Sequence, residues 1–338
     1  MKVAVVILNW NGSEMLRRFL PSVVQYSSLE NVEICVADNA SSDDSCSIVA
    51  HDFPMVRLIR LDRNYGFAEG YNRALSQIES EYVVLLNSDV EVTEGWLETM
   101  VDYMDAHTDV VACQPKVLSW SERDSFEYAG ACGGYIDRYG YPFCRGRIFN
   151  VIEKDKGQYD SIRSVFWTTG AALFMRLAAY RAVGGLDSRF FAHMEEIDMC
   201  WRLRSRGMQL VCIPQSVVYH VGGGTLNKES PYKTFLNFRN NLLMLYKNLP
   251  QHELNVVLRV RKYLDFLAAM LFLLQGNWSN AKAVFRARKE FGRMQVDFKQ
   301  DRLENLSKAT MGNIPERYSF SIIWQSKIKC RRFFSLLK

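Results

Sequence analysis

Short apolar runs alternate with amphipathic stretches through the first hundred or so residues of the chain. The amphipathic stretches carry apolar side chains every three or four positions, which is typical of helices that bury one face. This alternation predicts a parallel sheet with right-handed crossovers and with helices covering it. The predicted strands are residues 3–8, 32–37, 56–60, 83–86 and 110–113.

The pattern becomes less regular further along the chain. Residues 118–163 are rich in Gly, Tyr, Arg and Asp, which predicts an irregular insertion or a small hairpin beside the site. Order returns at residues 165–176, and a Gly184-Gly185 turn follows. After Gly224 we expect helix to the end of the chain, with no internal repeat and no full-length transmembrane span. Between the turn and Gly224 we expect a helix at 195–206 and strands at 209–213 and 217–220.

Charge divides the chain into an acidic part and a basic part. Lys and Arg number 25 against 30 Asp and Glu in residues 1–250, and 17 against 7 in residues 251–338. We therefore predict a catalytic domain over 1–250 and a basic amphipathic helical extension over 251–338. The eight cysteines form no C-x-x-C pair, which favours reduced, buried thiols and a cytoplasmic protein.

A single acid, Asp89, follows the buried run at 83–86. Open α/β sheets bind ligands at the carboxyl ends of their strands, so Asp89 is a candidate for a metal-bound phosphate site. The alternative is a turn residue that accepts backbone hydrogen bonds. Neither G-x-G-x-x-G nor G-x-x-x-x-G-K-[ST] follows the first strand, which argues against NAD and ATP enzymes.

Two other strand ends also carry polar residues. Asp38 follows the second strand, where it could accept a hydrogen bond from a ribose hydroxyl or a base, or could cap the turn. Asn64, Gly66 and Asn72 mark a helix start after the third strand, where backbone can approach a phosphate closely. Gly66 could instead be a tight-turn residue.

Six ordered motifs stand at residues 5–11, 37–39, 64–67, 85–90, 169–171 and 183–187. Over residues 1–248 they resemble the inverting family 2 glycosyltransferases with the GT-A fold, above all their rhamnosyltransferase-like bacterial members. The resemblance implies an α/β fold with a mostly parallel nucleotide-binding sheet flanked by helices, and a helical C-terminal extension. It also implies that Asp38 contacts the nucleobase or ribose. Asn87 stands where the family usually has the first acid of a D-x-D motif. The implied nucleotide-sugar site comprises Asn9, Asn11, Asp38, Asn64, Gly66, Asn72, Asn87 and Gly170.

Breaking a sugar–phosphate bond leaves a nucleoside diphosphate, whose growing charge a divalent cation stabilises. By resemblance Asp89 binds this cation, and His220 joins the cation or the diphosphate. Mg²⁺ or Mn²⁺ suits carboxylate and phosphate oxygens, and Mn²⁺ also accepts an imidazole. The alternative for His220, which ends a predicted strand, is a structural role.

The acceptor hydroxyl must lose a proton as it attacks, so the reaction needs a general base. By resemblance Glu196 is this base and Glu195 is the reserve candidate. Their alternative role is an acidic first turn that complements the helix dipole. Asp198 and Arg202 are four residues apart and are expected to pair on the surface.

These features predict a transferase that moves a sugar from a nucleotide-sugar, dTDP-rhamnose or a UDP-sugar, to a hydroxyl of a cell-surface polysaccharide or lipid-linked glycan. The alternative is an inactive binding module with the same fold. A sugar-phosphate nucleotidyltransferase would need a glycine-rich basic loop after the first strand, and none follows it. The basic tail predicts peripheral contact with the anionic inner face of the plasma membrane, or else a helical appendage that packs on the catalytic domain or on a dimer partner. No nucleic-acid partner is expected.

Overall fold

A computed structural model describes residues 1–222 and 230–337 and contains a central mixed sheet and a smaller one. The start of the predicted helical region at Gly224 lies outside the described residues. The strands are β1 Val3–Asn9, β2 Val32–Asp38, β3 Arg57–Arg60, β4 Tyr82–Asn87, β5 Val90–Val92, β6 Val110–Ser119, β7 Gly134–Ile136, β8 Pro142–Cys144, β9 Arg147–Ile148, β10 Val151–Ile152, β11 Arg163–Ser164, β12 Ala172–Arg176 and β13 Gln209–His220.

The first four strands confirm the predicted parallel arrangement. They lie in the order β3-β2-β1-β4, and each neighbouring pair is parallel. β1 and β4 are almost wholly buried, because helices cover both faces of runs rich in Val, Ile and Leu. Their carboxyl ends therefore meet at one edge of the sheet.

Beyond β4 the sheet becomes mixed. β12 lies between β4 and β6 and is antiparallel to β4, whereas β13 is parallel to β6. The two strands predicted at 209–213 and 217–220 are in fact the single strand β13, which has an irregularity between Ile213 and Val217. β5 and β11 both pair antiparallel with β13.

The segment 118–163 is more ordered than predicted. Part of it, between Gly134 and Ile152, folds into an antiparallel sheet of four short strands in the order β10-β9-β8-β7. The strands have two or three residues each, which is too short for a periodicity to appear in the sequence. Much of the segment is irregular, as predicted, but a four-stranded sheet takes the place of the predicted small hairpin.

The helices cover the central sheet and form the C-terminal region. Six of the eight cysteines are buried, while Cys46 is half-buried and Cys330 is exposed. None of the helices in the described part of the chain combines the length and apolar character needed to cross a bilayer. The helices are α1 Ser13–Ser27, α2 Ser45–Asp52, α3 Gly66–Leu75, α4 Trp96–Ala106, α5 Leu177–Ala182, α6 Glu195–Ser205, α7 Pro231–Asn248, α8 Gln251–Leu274, α9 Trp278–Met294 and α10 Lys299–Lys308.

The C-terminal region folds back onto the rest of the chain. Arg261 of α8 donates a hydrogen bond to the Tyr139 carbonyl between β7 and β8 (2.9 Å). Residues 309–337 contain only short 3₁₀ and π turns, so the prediction of helix to the end was wrong there. Tyr318 donates its N–H to the Ile136 carbonyl (2.8 Å), and Ile322 donates to the Asp137 carboxylate (2.9 Å). The extension is thus tied to the small sheet, as the packing alternative predicts.

A buried ion pair stabilises this attachment. Asp265 is fully buried in α8 and accepts hydrogen bonds from Arg261 (3.2 Å) and Arg288 (2.5 Å). We predict that Asp265→Ala lowers the free energy of unfolding by about 3–5 kcal/mol, because it leaves buried guanidinium charge unpaired. Chemical denaturation measures this change. Glu304→Ala, which removes an exposed pair with Lys308, is the matched control and should change little. An equal loss for both variants would contradict the prediction.

Candidate active site

Polar side chains from three adjacent strands meet at the carboxyl edge of the sheet. Asn9 is paired in register with Asp38, and Leu8 with Asn87, so these strand ends are neighbours. Asp38 is buried, and its carboxylate accepts hydrogen bonds from Asn9 Nδ2 (3.2 Å) and the backbone N–H of Ser41 (2.9 Å). Each carboxylate oxygen retains a further lone pair, so Asp38 can hold the turn and still accept from a ligand.

The loops that follow β1 and β2 are held together by amides. Asn11 Oδ1 accepts a hydrogen bond from the backbone N–H of Ser42 (2.8 Å). The backbone N–H of Asn11 donates to Ser41 Oγ (2.9 Å). Asn9 Oδ1 is buried and has no hydrogen-bond partner among the described residues. A Cβ on Gly12 would lie 2.4 Å from this oxygen, so a side chain at position 12 would force the Asn9 amide to shift. Asn9 thus retains an acceptor at the edge.

The start of α3 is connected to the same edge through Asn39, which sequence reasoning did not single out. Asn39 Nδ2 donates to Asn64 Oδ1 (3.0 Å) and to the Gly66 carbonyl (3.0 Å). Gly66 has a φ of +74°, and a Cβ there would lie 2.6 Å from the Phe191 ring. Gly66 is therefore required by its turn conformation and by the close approach of Phe191.

Asn72 has a different set of partners from the other predicted residues. Its Nδ2 donates to the Leu186 carbonyl (2.8 Å), and its Oδ1 accepts from Tyr180 Oη (2.5 Å) and from the Leu186 N–H (3.1 Å). All of these bonds hold the turn that contains Gly184 and Gly185. The structure therefore gives Asn72 a structural role, and its contact with a donor remains a prediction.

Asp89 and His220 lie together at the end of β4 and β13. His220 Nε2 is 3.1 Å from Asp89 Oδ1 and 3.4 Å from Asn87 Nδ2, and His220 Nδ1 is 3.3 Å from Glu127 Oε2. Burial alone would lower the pKa of His220, but the two carboxylates overcome it and raise that pKa to about 10. Burial opposes ionisation of Asp89, yet the hydrogen bond with His220 holds its pKa below the usual value.

The donor atoms of this cluster suit the predicted cation. A carboxylate oxygen and an imidazole nitrogen lie side by side, which fits Mn²⁺, and the carboxylate fits Mg²⁺. Glu127 lies behind His220 and can orient its ring, as carboxylates commonly do for metal-binding histidines. Within residues 1–222 and 230–337, no three His, Cys, Asp or Glu side chains form a metal-binding group. A cation here would therefore need further oxygens, such as those of a diphosphate.

Gly170 connects this edge to the start of α6. The N–H of Asn87 donates to the Ala171 carbonyl (3.0 Å), which places the 169–171 segment beside the end of β4. A Cβ on Gly170 would lie 3.2 Å from Phe67 Cζ and 3.9 Å from Glu196 Cβ. The structure thus brings Gly170, Glu196 and the strand edge together. Trp167, by contrast, is buried and donates its indole N–H to the Tyr135 carbonyl (2.9 Å), so it is a core residue.

Two acids at the start of α6 have no cationic partner within residues 1–222 and 230–337. Glu195 is buried and Glu196 is half-buried, and Oε2 of each has no hydrogen-bond partner in the described part of the chain. Burial raises the pKa of Glu196 to about 7. Burial, together with the charge of Glu196, raises the pKa of Glu195 well above its usual value. A carboxylate that titrates near neutrality is suited to general base catalysis.

Asp198 pairs with Arg202 as predicted (3.0 Å), but the predicted surface location is wrong. Asp198 is fully buried and also accepts hydrogen bonds from Lys247 (2.8 Å) and Asn248 (2.7 Å) of α7. Asp198 therefore joins α6 to α7 and has a structural role. The i, i+4 spacing predicts the pair correctly but carries no information on its burial.

The loop before Glu195 adopts a strained conformation. Phe191, His193 and Met194 have φ values of 66°, 68° and 74°, which L-residues with large side chains rarely adopt. Asn240 of α7 is fully buried and holds this loop with its Nδ2 group. That group donates to the carbonyls of Phe190 (3.0 Å), Ala192 (2.8 Å) and His193 (2.8 Å).

Sequence reasoning missed Glu127, Asn240 and Gln114, whose Oε1 accepts from the Thr169 N–H (3.0 Å). Each acts on residues 20 or more positions away, so no local pattern could reveal them. Their only signal is that each is a polar residue at a buried position, and burial was not evident from the sequence. Asn39 was within a motif and could have been found.

Comparisons with known proteins identify the family to which the chain belongs. The family model described as "Glycosyl transferase family 2" matches residues 4–176, and the chain belongs to this family. The chain is 26% identical to an N-acetylglucosaminyl-diphospho-decaprenol L-rhamnosyltransferase of Mycobacterium tuberculosis over 64% of this chain and 75% of that protein. It is 22% identical to the Haloferax volcanii low-salt glycan biosynthesis hexosyltransferase Agl10, over 71% of this chain and 74% of that protein.

Solved structures confirm the predicted GT-A fold. Mannosyltransferase PcManGT from Pyrobaculum calidifontis, solved with GDP-Man and Mn²⁺, has a TM-score of 0.53 at 13% identity. That match covers 91% of this chain and 84% of the other. S. aureus TarS 1-349 in complex with UDP-GlcNAc has a TM-score of 0.55 at 16% identity. That match covers 91% of this chain and 89% of TarS 1-349. The chain is thus a family 2 glycosyltransferase, similar to rhamnosyltransferases, with a helical C-terminal region.

We predict that Asn240→Ala reduces turnover about 10- to 100-fold while the affinity for the donor changes little. The variant removes the donor that satisfies three carbonyls, so the strained loop relaxes and the carboxylates of α6 move. Steady-state kinetics that separate kcat from the donor KM, together with a thermal melt, measure these effects. Asn255→Ala, on the exposed side of α8, is the matched control. A variant that folds and retains full kcat would contradict the prediction.

Proposed function

We propose that this glycosyltransferase acts with inversion, moving a sugar from a nucleoside-diphosphate sugar to a hydroxyl of a glycan. The observation that carries the proposal is the position of Glu196. Its carboxylate has no counter-charge among the residues that the structure describes, and Gly170 connects it to the sheet edge that carries Asp89 and His220. A single displacement requires a base on one side of the sugar and stabilisation of the diphosphate on the other.

In this proposal each residue has a defined task. Asn9 and Asp38 bind the nucleoside at the ends of β1 and β2, where each retains acceptor capacity. Glu196 takes the proton from the acceptor hydroxyl as it attacks the anomeric carbon, and the diphosphate leaves with the bonding electron pair. Asp89 and His220 would hold Mg²⁺ or Mn²⁺, which when bound supplies positive charge to the leaving diphosphate. Glu195 is the reserve candidate for the base.

The names of similar proteins support a choice of donor and acceptor. A similar protein is named a rhamnosyltransferase, and a solved structure with this fold contains UDP-GlcNAc, so dTDP-rhamnose or a UDP-sugar is proposed as donor. The same relative is named for a diphospho-decaprenol substrate, which supports a lipid-linked glycan or a surface polysaccharide as acceptor. We also propose residues 1–250 as the catalytic domain and 251–338 as its extension, with the boundary at the junction of α7 and α8.

A donor panel tests this proposal. Purified protein with Mg²⁺ or Mn²⁺ is incubated with a panel of nucleotide-sugars, with and without lipid-linked glycans, and nucleoside diphosphate release is measured. We expect one donor to turn over and Asp89→Ala to abolish release. Glu79→Gln, at an exposed site, is the control and should leave the rate unchanged. Donor binding without turnover under any condition would instead favour an inactive binding module.

The role of Glu196 predicts a pH dependence. A base must be unprotonated, so kcat/KM should fall about tenfold per pH unit below about 7, where the pKa of Glu196 lies. Glu196→Gln should lower kcat by about 10²–10⁴-fold and remove this limb of the profile. An unchanged profile in the variant would assign the base to another group.

The role of Glu127 predicts a change in metal affinity. Because Glu127 orients His220, Glu127→Gln should weaken Mn²⁺ binding about 10- to 100-fold in the presence of a nucleoside diphosphate. Electron paramagnetic resonance of free Mn²⁺ measures this without turnover. Glu122→Gln, in the exposed turn nearby, is the matched control. Equal Mn²⁺ affinity in both variants would show that Glu127 does not support metal binding.

A further inference from the structure

Helix α8 has the opposite polarity to an ordinary surface helix. Two of its charged residues, Arg261 and Asp265, point inward, where they pair with each other and are almost completely buried, whereas Arg259 and Lys262 are exposed. Its outward side is apolar, and Leu271 and Leu274 are 58% and 81% exposed. We name this side the outward face, formed by Tyr263, Phe266, Leu267, Met270, Leu271 and Leu274.

The outward face is continuous with exposed aromatic residues of α9. Trp278 is 72% exposed at the start of α9, and the rings of Phe266 and Phe285 lie 6.4 Å apart. Isolated exposed apolar residues are ordinary, but a contiguous apolar surface of this kind marks an interaction site. Nothing in the fold of the described residues covers it.

Basic residues border this apolar surface. Lys282, Arg286 and Lys289 recur at helical spacing along the exposed side of α9, and Lys262 lies on the exposed side of α8. None of the four forms an ion pair with the residues at 1–222 and 230–337. Their positive charge is therefore available to an anionic partner.

We infer that the outward face of α8, together with the basic side of α9, docks on the surface of an anionic lipid bilayer. A helix with an apolar face and flanking Lys and Arg lies in the interface plane, with its apolar side among the acyl chains and its cations at the headgroups. A second copy of the chain fits less well, because a twofold contact would bring the same basic residues of both copies into one interface.

The docked surface would continue towards the strained loop before Glu195. A groove of about 360 Å³ between α7 and α9 is lined by Tyr232 and Phe235 on one side and by Lys282 and Arg286 on the other. The Tyr232 ring lies 6.5 Å from the ring of Phe191, which belongs to the strained loop before Glu195. An acceptor carried in the membrane could thus reach the loop without leaving the lipid surface. The docking itself does not depend on the proposed function.

Vesicle flotation of the full chain tests the inference. Phosphatidylcholine vesicles with and without phosphatidylglycerol are used, in low and high salt, with no donor or acceptor present. We expect binding to the anionic vesicles that weakens in high salt. The double variant Leu271→Glu, Leu274→Glu should lose vesicle binding. A second double variant, Lys282→Gln, Lys289→Gln, should bind the anionic vesicles about tenfold more weakly. The matched control is Val296→Glu, Leu303→Glu, at two exposed apolar positions outside the face.

Three results would overturn the inference. The first is no vesicle binding by the native chain, and the second is equal binding by the Leu271→Glu, Leu274→Glu variant. The third is equal binding to vesicles with and without phosphatidylglycerol, which would show that docking does not require anionic lipid. Sedimentation velocity identifies a second copy as occupant if the native chain is a dimer and the leucine variant is a monomer. Nucleoside diphosphate release with water-soluble substrates is measured separately, so failure of docking and failure of the proposed chemistry remain distinguishable.

Discussion

The position of β12 is the constraint on which the candidate site depends. This strand lies between β4 and β6 and is antiparallel to β4, so the segment before it returns to the carboxyl edge of the sheet. The hydrogen bond from the Asn87 N–H to the Ala171 carbonyl fixes that return. Gly170 then lies between the edge and α6, where a Cβ on it would be within van der Waals reach of Glu196 Cβ (3.9 Å). A purely parallel sheet would not bring these residues together.

The two sides of the site have opposite electrostatic environments. On one side, Asp89 and Glu127 surround His220, so buried charges compensate one another. On the other side, buried Glu195 lies beside half-buried Glu196 with no cation from the described part of the chain, so burial raises the pKa values of both. One side is therefore suited to charged groups such as a diphosphate with its cation, and the other to exchange of a proton near neutrality. The hydrogen bonds of Asn240 hold the strained loop before Glu195 in place and so maintain the environment of the two glutamates.

Strand ends were the part of the site that could be predicted from the sequence. Asn9, Asp38 and Asn87 follow apolar runs, and parallel pairing brings such ends together whatever the rest of the fold. Glu127 and Asn240 could not be predicted, because their partners are distant along the chain and only the folded structure shows their burial. The short strands β7 to β10 were missed since two or three residues carry no periodicity. α8 was predicted as a helix, but its apolar residues lie on both sides, so the pattern did not show which side faces inward.

The stereochemistry of transfer tests the central claim most directly. If Glu196 activates the acceptor opposite the leaving diphosphate, the sugar is attacked once, from the opposite side. Proton NMR of the first-formed product, with the donor that turns over, reports its anomeric configuration. We predict the configuration opposite to that of the donor. A product with the configuration of the donor would contradict a single displacement with Glu196 as base.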